Sequence, residues 1–198
     1  MQSSQFSDIV QILDGCQRGD RNCQRRLYEL YYGYAMSICL RYATQRDAAA
    51  EILNDAFFKT LTSLDKFDRS QPFKPWFRRI IINAAVDAFR KKSNLPLFLD
   101  LSNAPEIAED PTPMPDISTE EDLLPVLAEL SPAYRTVFNL YVMEEYTHRE
   151  IGQMLGITES ASRSNLARAS AILKKIIVEK KPLDTWPKTM LCQAIKNK

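Results

Sequence analysis

The sequence predicts an all-α protein, two small helical domains joined by an extended, acidic, proline-rich linker. Three observations predict it. Apolar residues recur at three- and four-residue steps through both halves of the chain. Only 5 of the 198 residues are Gly, too few for a turn-rich β protein. From Ser93 to Glu120 the helical period stops, and that stretch holds five of the 11 prolines. The expected bounds are 1–92 for the first domain, 93–118 for the linker, 119–181 for the second domain and 182–198 for a tail.

Asp8 to Cys16 reads as a short first helix. Asp20 caps a longer one, along which Leu27, Leu30, Tyr31, Tyr34, Ile38 and Tyr42 recur at helical spacing. The third runs from about Asp47 to Leu64, with Ile52, Leu53, Ala56, Phe57, Thr60 and Leu64 inward and Glu51, Asn54, Asp55 and Lys59 on the polar side. After the loop DKFDRSQP, Pro72 and Pro75 fit the first turn of a fourth helix, which ends at the basic Arg90-Lys91-Lys92. The linker follows, its LPLFLDL start apolar enough to dock on a surface.

Thr119 to Leu130 is again amphipathic. Ser131-Pro132 is a cap with Pro at the first helical position, opening a helix to Met143. Thr147 and Glu150 then form a capping box that starts another helix, which Gly156 ends. Thr158 caps the last helix, which extends through Ile172, Leu173, Ile176 and Ile177. Gly152 would let these last two helices approach closely. The tail after Pro182 carries Trp186 as its only large aromatic.

Several function classes fall away. The longest apolar runs are too short to span a membrane, and the N-terminus has no basic region followed by an apolar one. A cytoplasmic protein without membrane insertion is expected. Cys16, Cys23, Cys39 and Cys192 have no C-x-x-C spacing, and the single histidine, His148, lies far from them. Reduced thiols are expected, and no metal site or cofactor. No phosphate-loop, serine-elbow or zinc-protease motif is present, so no enzyme activity or catalytic residue is expected.

The net charge of +1 conceals two basic blocks around an acidic one. Lys66 to Lys92 holds eight basic and two acidic residues, Ser93 to Asp122 eight acidic and none basic, Arg163 to Lys198 nine basic and two acidic. Nucleic acid responds to such local fields rather than to the sum.

The segment YTHREIGQMLGITESASRSNLARA reads as a helix, a glycine turn and a second helix carrying Arg163 and Arg168. That is the pattern of a helix-turn-helix whose second helix enters the DNA major groove. The ordinary alternative is an αα-hairpin with a solvated basic face. The block KFDRSQPFKPWFRRIIINAAVDAFRKK interleaves Phe67, Phe73, Trp76 and Phe77 with Lys66, Arg69, Lys74, Arg78 and Arg79. Flat faces beside cations suit single-stranded DNA. Taken alone, the block reads first as core, with Trp76, Phe77, Ile80 and Ile81 inside and the cations outside.

Four blocks in order resemble the extracytoplasmic-function sigma factors, the smallest members of the sigma-70 family. LYELYYGYAMSICLRY is similar to the family's region 2.1, AAAEILNDAFFKTLTSLDKF to region 2.2, PFKPWFRRIIINAAVDAFRKK to regions 2.3 and 2.4, and LLPVLAELSPAYRTVFNLYVMEEYTHREIGQMLGITESASRSNLARA to region 4. The resemblance runs from about Gln24 to Lys181 and implies a factor that binds core RNA polymerase, directs it to promoters and helps melt the DNA.

The same resemblance implies residue roles. Glu51, Asn54, Asp55 and Phe58 would meet the clamp helices of the polymerase β′ subunit, and region 4 the β flap. The loop from Phe67 to Phe73, with Arg69, Lys74 and Asn83, would capture a flipped base of the minus-ten element. Trp76, Arg78 and Arg79 would support strand opening. Ser160, Arg163, Ser164 and Arg168 would face the minus-thirty-five element. The linker would thread the polymerase cleft, and an anti-sigma factor would be a further partner. Against the family pattern, a usual Gln is Asn54, an acidic pair is Ala48 to Ala50, a usually buried Val is Ser162 and a usual Arg is Asn165. Ser162 is expected to bond back to its own helix. The rivals are a stand-alone helix-turn-helix regulator that binds duplex DNA without polymerase, and a helical adaptor with no DNA role.

Overall fold

Helix starts in both halves are set by short polar side chains that satisfy orphan backbone N–H groups. The computed structural model describes residues 2–92 and 120–180, with side chains over 9–92 and 124–176. The linker at 93–118, Thr119 and the tail at 182–198, with Trp186 and Cys192, lie outside the described residues. The chain divides into two units, Met1–Lys91 and Lys92–Lys198. Among the described residues there is no strand, and no helix is long and apolar enough to cross a membrane.

The first unit contains α1 (Gln2–Gln17), α2 (Arg21–Tyr42), α3 (Arg46–Thr62), a 3-10 turn (Leu64–Lys66) and α4 (Phe73–Lys92). Gly19, at φ +82, turns the chain between α1 and α2. The Asp20 carboxylate accepts from the N–H of Asn22 at 2.8 Å and of Cys23 at 3.3 Å. Those bonds, that of Asn22 first, hold its carboxyl below the usual range. α1 begins well before the expected Asp8. Pro72 stands just before α4, and only Pro75 lies inside its first turn.

Leu13, Leu27, Ile38, Leu53, Leu64, Phe77 and Ile81 are fully buried together. Every residue expected to face inward from α3 is buried, including Thr60, whose hydroxyl donates to the carbonyl of Ala56 at 2.7 Å. Leu30 is the exception on α2. It is 60% exposed, at the margin of the apolar stripe beside Arg26 and Gly33. Cys16 and Cys39 are buried and Cys23 half-buried, all as free thiols. Burial pushes the Cys16 thiol up to about 11 and that of Cys39 to about 12, which keeps both protonated and unreactive.

The second unit contains α5 (Glu120–Ala128), α6 (Pro132–Phe138), a π-helical turn (Asn139–Met143), α7 (His148–Leu155) and α8 (Glu159–Lys180). Ser131 caps α6 by accepting from Tyr134 N–H at 3.4 Å. Arg135 ties α6 to α5. Its Nε donates to Leu127 O at 2.7 Å, and its Nη2 to Ala128 O at 2.9 Å and Leu130 O at 2.8 Å. One buried guanidinium thus satisfies the carbonyls that end α5. Leu127, Leu130, Phe138, Ala169 and Leu173 form the core beneath. The helix expected to run on to Met143 instead widens at the fully buried Asn139, where Glu144 N–H donates to Asn139 O at 3.1 Å.

Candidate nucleic-acid interface

The turn between α7 and α8 has the local chemistry its sequence demands. The Thr147 hydroxyl accepts from Glu150 N–H at 3.3 Å, and the Glu150 carboxylate accepts from Thr147 N–H at 2.8 Å. That backbone bond, then the Thr147 hydroxyl at 2.7 Å, lowers the Glu150 pKa. Gly156 takes the left-handed conformation at φ +71. Thr158 accepts from Ala161 N–H at 3.0 Å and starts α8. Gly152 does provide a close approach, to the backbone of the turn and of the first residue of α8. A Cβ there would sit 2.8 Å from the carbonyl oxygen of Ile157.

α8 packs through Ser162, Ala169 and Leu173, all buried. At about 100° per residue, Ser160, Arg163, Ser164 and Arg168 fall on the opposite side. Ser160 and Arg163 are exposed, Ser164 and Arg168 half-buried. The structure therefore places the four expected residues on the half of α8 away from its packing residues, with Ser160 and Ser164 central and Arg163 and Arg168 on the two flanks, about 140° apart. Arg163 pairs there with Glu159, one turn earlier. Ser162 does not bond back to its own helix as expected. Its hydroxyl lies 3.0 Å from Nδ1 of His148 on α7.

In the first unit the expected minus-ten residues separate into two groups. Phe67 is 7% exposed and Phe73 equally buried, in an aromatic cluster with Trp76 and Phe77. Their faces are covered by one another, so they shape the loop and offer no stacking platform. Arg69 is also committed to the fold. Its Nη2 lies 3.1 Å from Gln17 Oε1 and 3.5 Å from Asp14 Oδ1, and its guanidinium sits over the Phe67 ring at 5.5 Å. Lys74 is exposed, with Nζ 4.3 Å from the Tyr34 ring centre. Arg78 is half-buried on the core-facing side of α4, beside Ala85 and Ile82, and does not share a face with Trp76.

What remains outward on α4 is a single stripe. Trp76 is half-buried, Arg79 and Asn83 are exposed, and Arg90 continues the row. Arg90 was not among the expected contacts, although its seven-residue step from Asn83 places it there. Asp87 lies in the same row and is neutralised by Lys59 of α3 at 2.6 Å.

The third group lies on α3. Glu51, Asn54, Asp55 and Phe58 are all exposed and share the side opposite Leu53, Ala56 and Thr60. Phe58 is 69% exposed, the most exposed large apolar side chain described. An acidic and amide rim surrounds this one bare aromatic.

Comparison with known proteins places one family model on each helical unit. Residues 27–94 match the family model for sigma-70 region 2, and residues 120–173 match that for sigma-70 region 4. The "Probable RNA polymerase sigma factor RfaY" of Xanthomonas campestris pv. campestris is 27% identical over 163 residues, covering 75% of this chain and 41% of that protein. The chain thus spans less than half the length of that relative. The ECF RNA polymerase sigma factor SigM of Bacillus subtilis is 25% identical over 151 residues, 76% of this chain and 92% of that one. RNA polymerase sigma factor NccH of Alcaligenes xylosoxydans xylosoxydans is 30% identical over 134 residues, 64% of this chain and 72% of that one. With region 2 on the first helical unit and region 4 on the second, the chain belongs to the sigma-70 family, in its extracytoplasmic-function (ECF) group.

Proposed function

We propose that this ECF sigma factor, not itself an enzyme, works in the cytoplasm by binding core RNA polymerase and bringing it to one class of promoter. α3 docks on the β′ clamp helices through Glu51, Asn54, Asp55 and Phe58, and the second unit docks on the β flap. α8 reads the minus-thirty-five element with Arg163 and Arg168, flanked by Ser160 and Ser164. The outward stripe of α4, from Trp76 through Arg79 and Asn83 to Arg90, engages the minus-ten strand as it leaves the duplex. An anti-sigma factor that covers α3 or α8 keeps the protein inactive until it is needed.

The observation that carries this reading is the outward face of α8. Two cations and two hydroxyls share one side of the second helix of a helix-turn-helix, with the packing residues on the other.

The test is run-off transcription with purified core enzyme. The wild-type chain co-purifies with core polymerase and drives promoter-specific transcripts. Phe58→Ala loses co-purification while keeping its helical content, and Arg163→Ala keeps co-purification but loses promoter binding. A chain that never associates with core polymerase contradicts the proposal.

A further inference from the structure

His148 is the chain's single histidine, and it opens α7 immediately after the capping Thr147. Its ring lies against the Tyr141 ring, centres 4.4 Å apart and planes 17° from parallel. Tyr141 belongs to the π-helical turn that interrupts the preceding helix. Such wide turns are frequent at functional sites. Held flat by Tyr141, the imidazole brings Nδ1 to 3.0 Å from the Ser162 hydroxyl.

Ser162 is 0% exposed. A buried hydroxyl is costly unless bonded, and its partner, His148, comes from the other helix. It is also the residue immediately before Arg163. Burial first, then the nearby Arg163 guanidinium, lowers the His148 pKa against the weaker opposing effect of Glu159. Near neutral pH the ring is uncharged, so Nδ1 and the hydroxyl share one hydrogen.

We infer that His148 is a positioning residue for promoter recognition: through its bond to Ser162 it fixes the place of the first turn of α8, and hence the aim of Arg163 into the minus-thirty-five element. This rests on the assignment of α8 proposed above. Recognition groups have to be held to within about 0.5 Å to discriminate. Van der Waals packing at Ala169 and Leu173 fixes α8 further along; its first turn is held by the Thr158 cap, by the close seat of the turn on Gly152 and by this bond to His148. The connection runs from the π-helical turn through Tyr141 and His148 to Ser162.

The test uses the full chain with core polymerase. Wild-type holoenzyme first selects an upstream element from a randomised promoter library. Each variant is then scored for its preference for that element over a scrambled one, well below its own melting temperature, so that a contact serving stability alone leaves the preference unchanged. Losing the bond is expected to lower the preference by about three- to tenfold in His148→Ala and in Ser162→Val. His148→Asn, whose amide can occupy the place of Nδ1, is expected to retain it, whereas His148→Gln, which mimics only Nε2, behaves like His148→Ala. The double variant His148→Ala/Ser162→Val is no worse than the poorer single one. Unchanged preference in both single variants, or losses that simply add, overturns the inference. Arg163→Ala separates the two levels. If it loses the preference while the His148 variants keep it, the positioning role alone is wrong; if it too keeps the preference, the α8 assignment fails and takes the inference with it.

Discussion

The two units handle aromatic and basic side chains in opposite ways. In the second, the residues expected to meet DNA stand on the outward side of α8, and the packing residues on the other. In the first, most of the conspicuous aromatics are consumed by the core. Phe67, Phe73 and Phe77 lock against one another and against Trp76, and Arg69 braces the loop against α1. The difference teaches that residue type announces a nucleic-acid site only when the helical side agrees. A Phe that could stack on a base is equally good at filling a core, and an Arg that could hold a phosphate can hold an Asp.

The sharpest way to break this comparison is to cut the aromatic cluster. Phe77→Ala is expected to destabilise the first unit by about 3–5 kcal/mol, read as a large fall in its melting temperature. Trp76→Ala should cost less, since the ring is only half-buried, yet impair promoter opening more than initial binding. Permanganate footprinting separates those steps, and equal loss of both would return Trp76 to the core.

In the second unit the corresponding weak point is backbone rather than aromatic. Gly152→Ala forces a methyl against the Ile157 carbonyl, and the expected cost is about 1–3 kcal/mol in thermal unfolding. On the outward face, by contrast, Arg163→Ala and Arg168→Ala should lower melting less than Gly152→Ala does, the exposed Arg163 least of all. Each weakens promoter binding instead, and the slope of log affinity against log salt becomes shallower by about 0.9 if a phosphate contact is lost. Melting that falls as far as in Gly152→Ala along with affinity would erase the distinction between the two sides of α8.

Much of this organisation was legible because it is written locally. The Asp20 cap, the Thr147–Glu150 box and the Gly156 turn each depend on residues within a few positions of one another, and all formed as the sequence indicates. The inward side of α3 followed from its period alone. What the sequence concealed depends on distant partners or on backbone detail. Arg69 meets Gln17 across 52 positions, and His148 meets Ser162 across 14. Nothing in NLYVM signals a π-helical turn. Leu30 fits the apolar spacing yet falls at its margin, and Arg78 is one residue from Arg79 but on the other side of the helix.

A smaller effect checks the cap that positions α7. Glu150 has a folded pKa below its ordinary value, so the unfolded chain binds the proton more readily. Its contribution is complete above the ordinary glutamate range and is lost as pH falls through the lowered folded value. Thr147→Ala should cost about 1 kcal/mol near neutral pH and flatten that part of the acid-unfolding curve. An unchanged acid limb in the variant would show that the Thr147 hydroxyl's bond to the Glu150 carboxylate adds nothing to the pH-dependent part of stability.

The most direct measurement of the central claim, that each unit reads its own promoter element, is selection from a doubly randomised promoter library by holoenzyme, with sequencing of the transcribed templates. Wild-type protein should enrich two short motifs at a fixed spacing. Arg163→Ala should erase the upstream motif alone, and Asn83→Ala the downstream motif alone. Loss of both motifs together in either variant, or enrichment of neither by wild type, would contradict it.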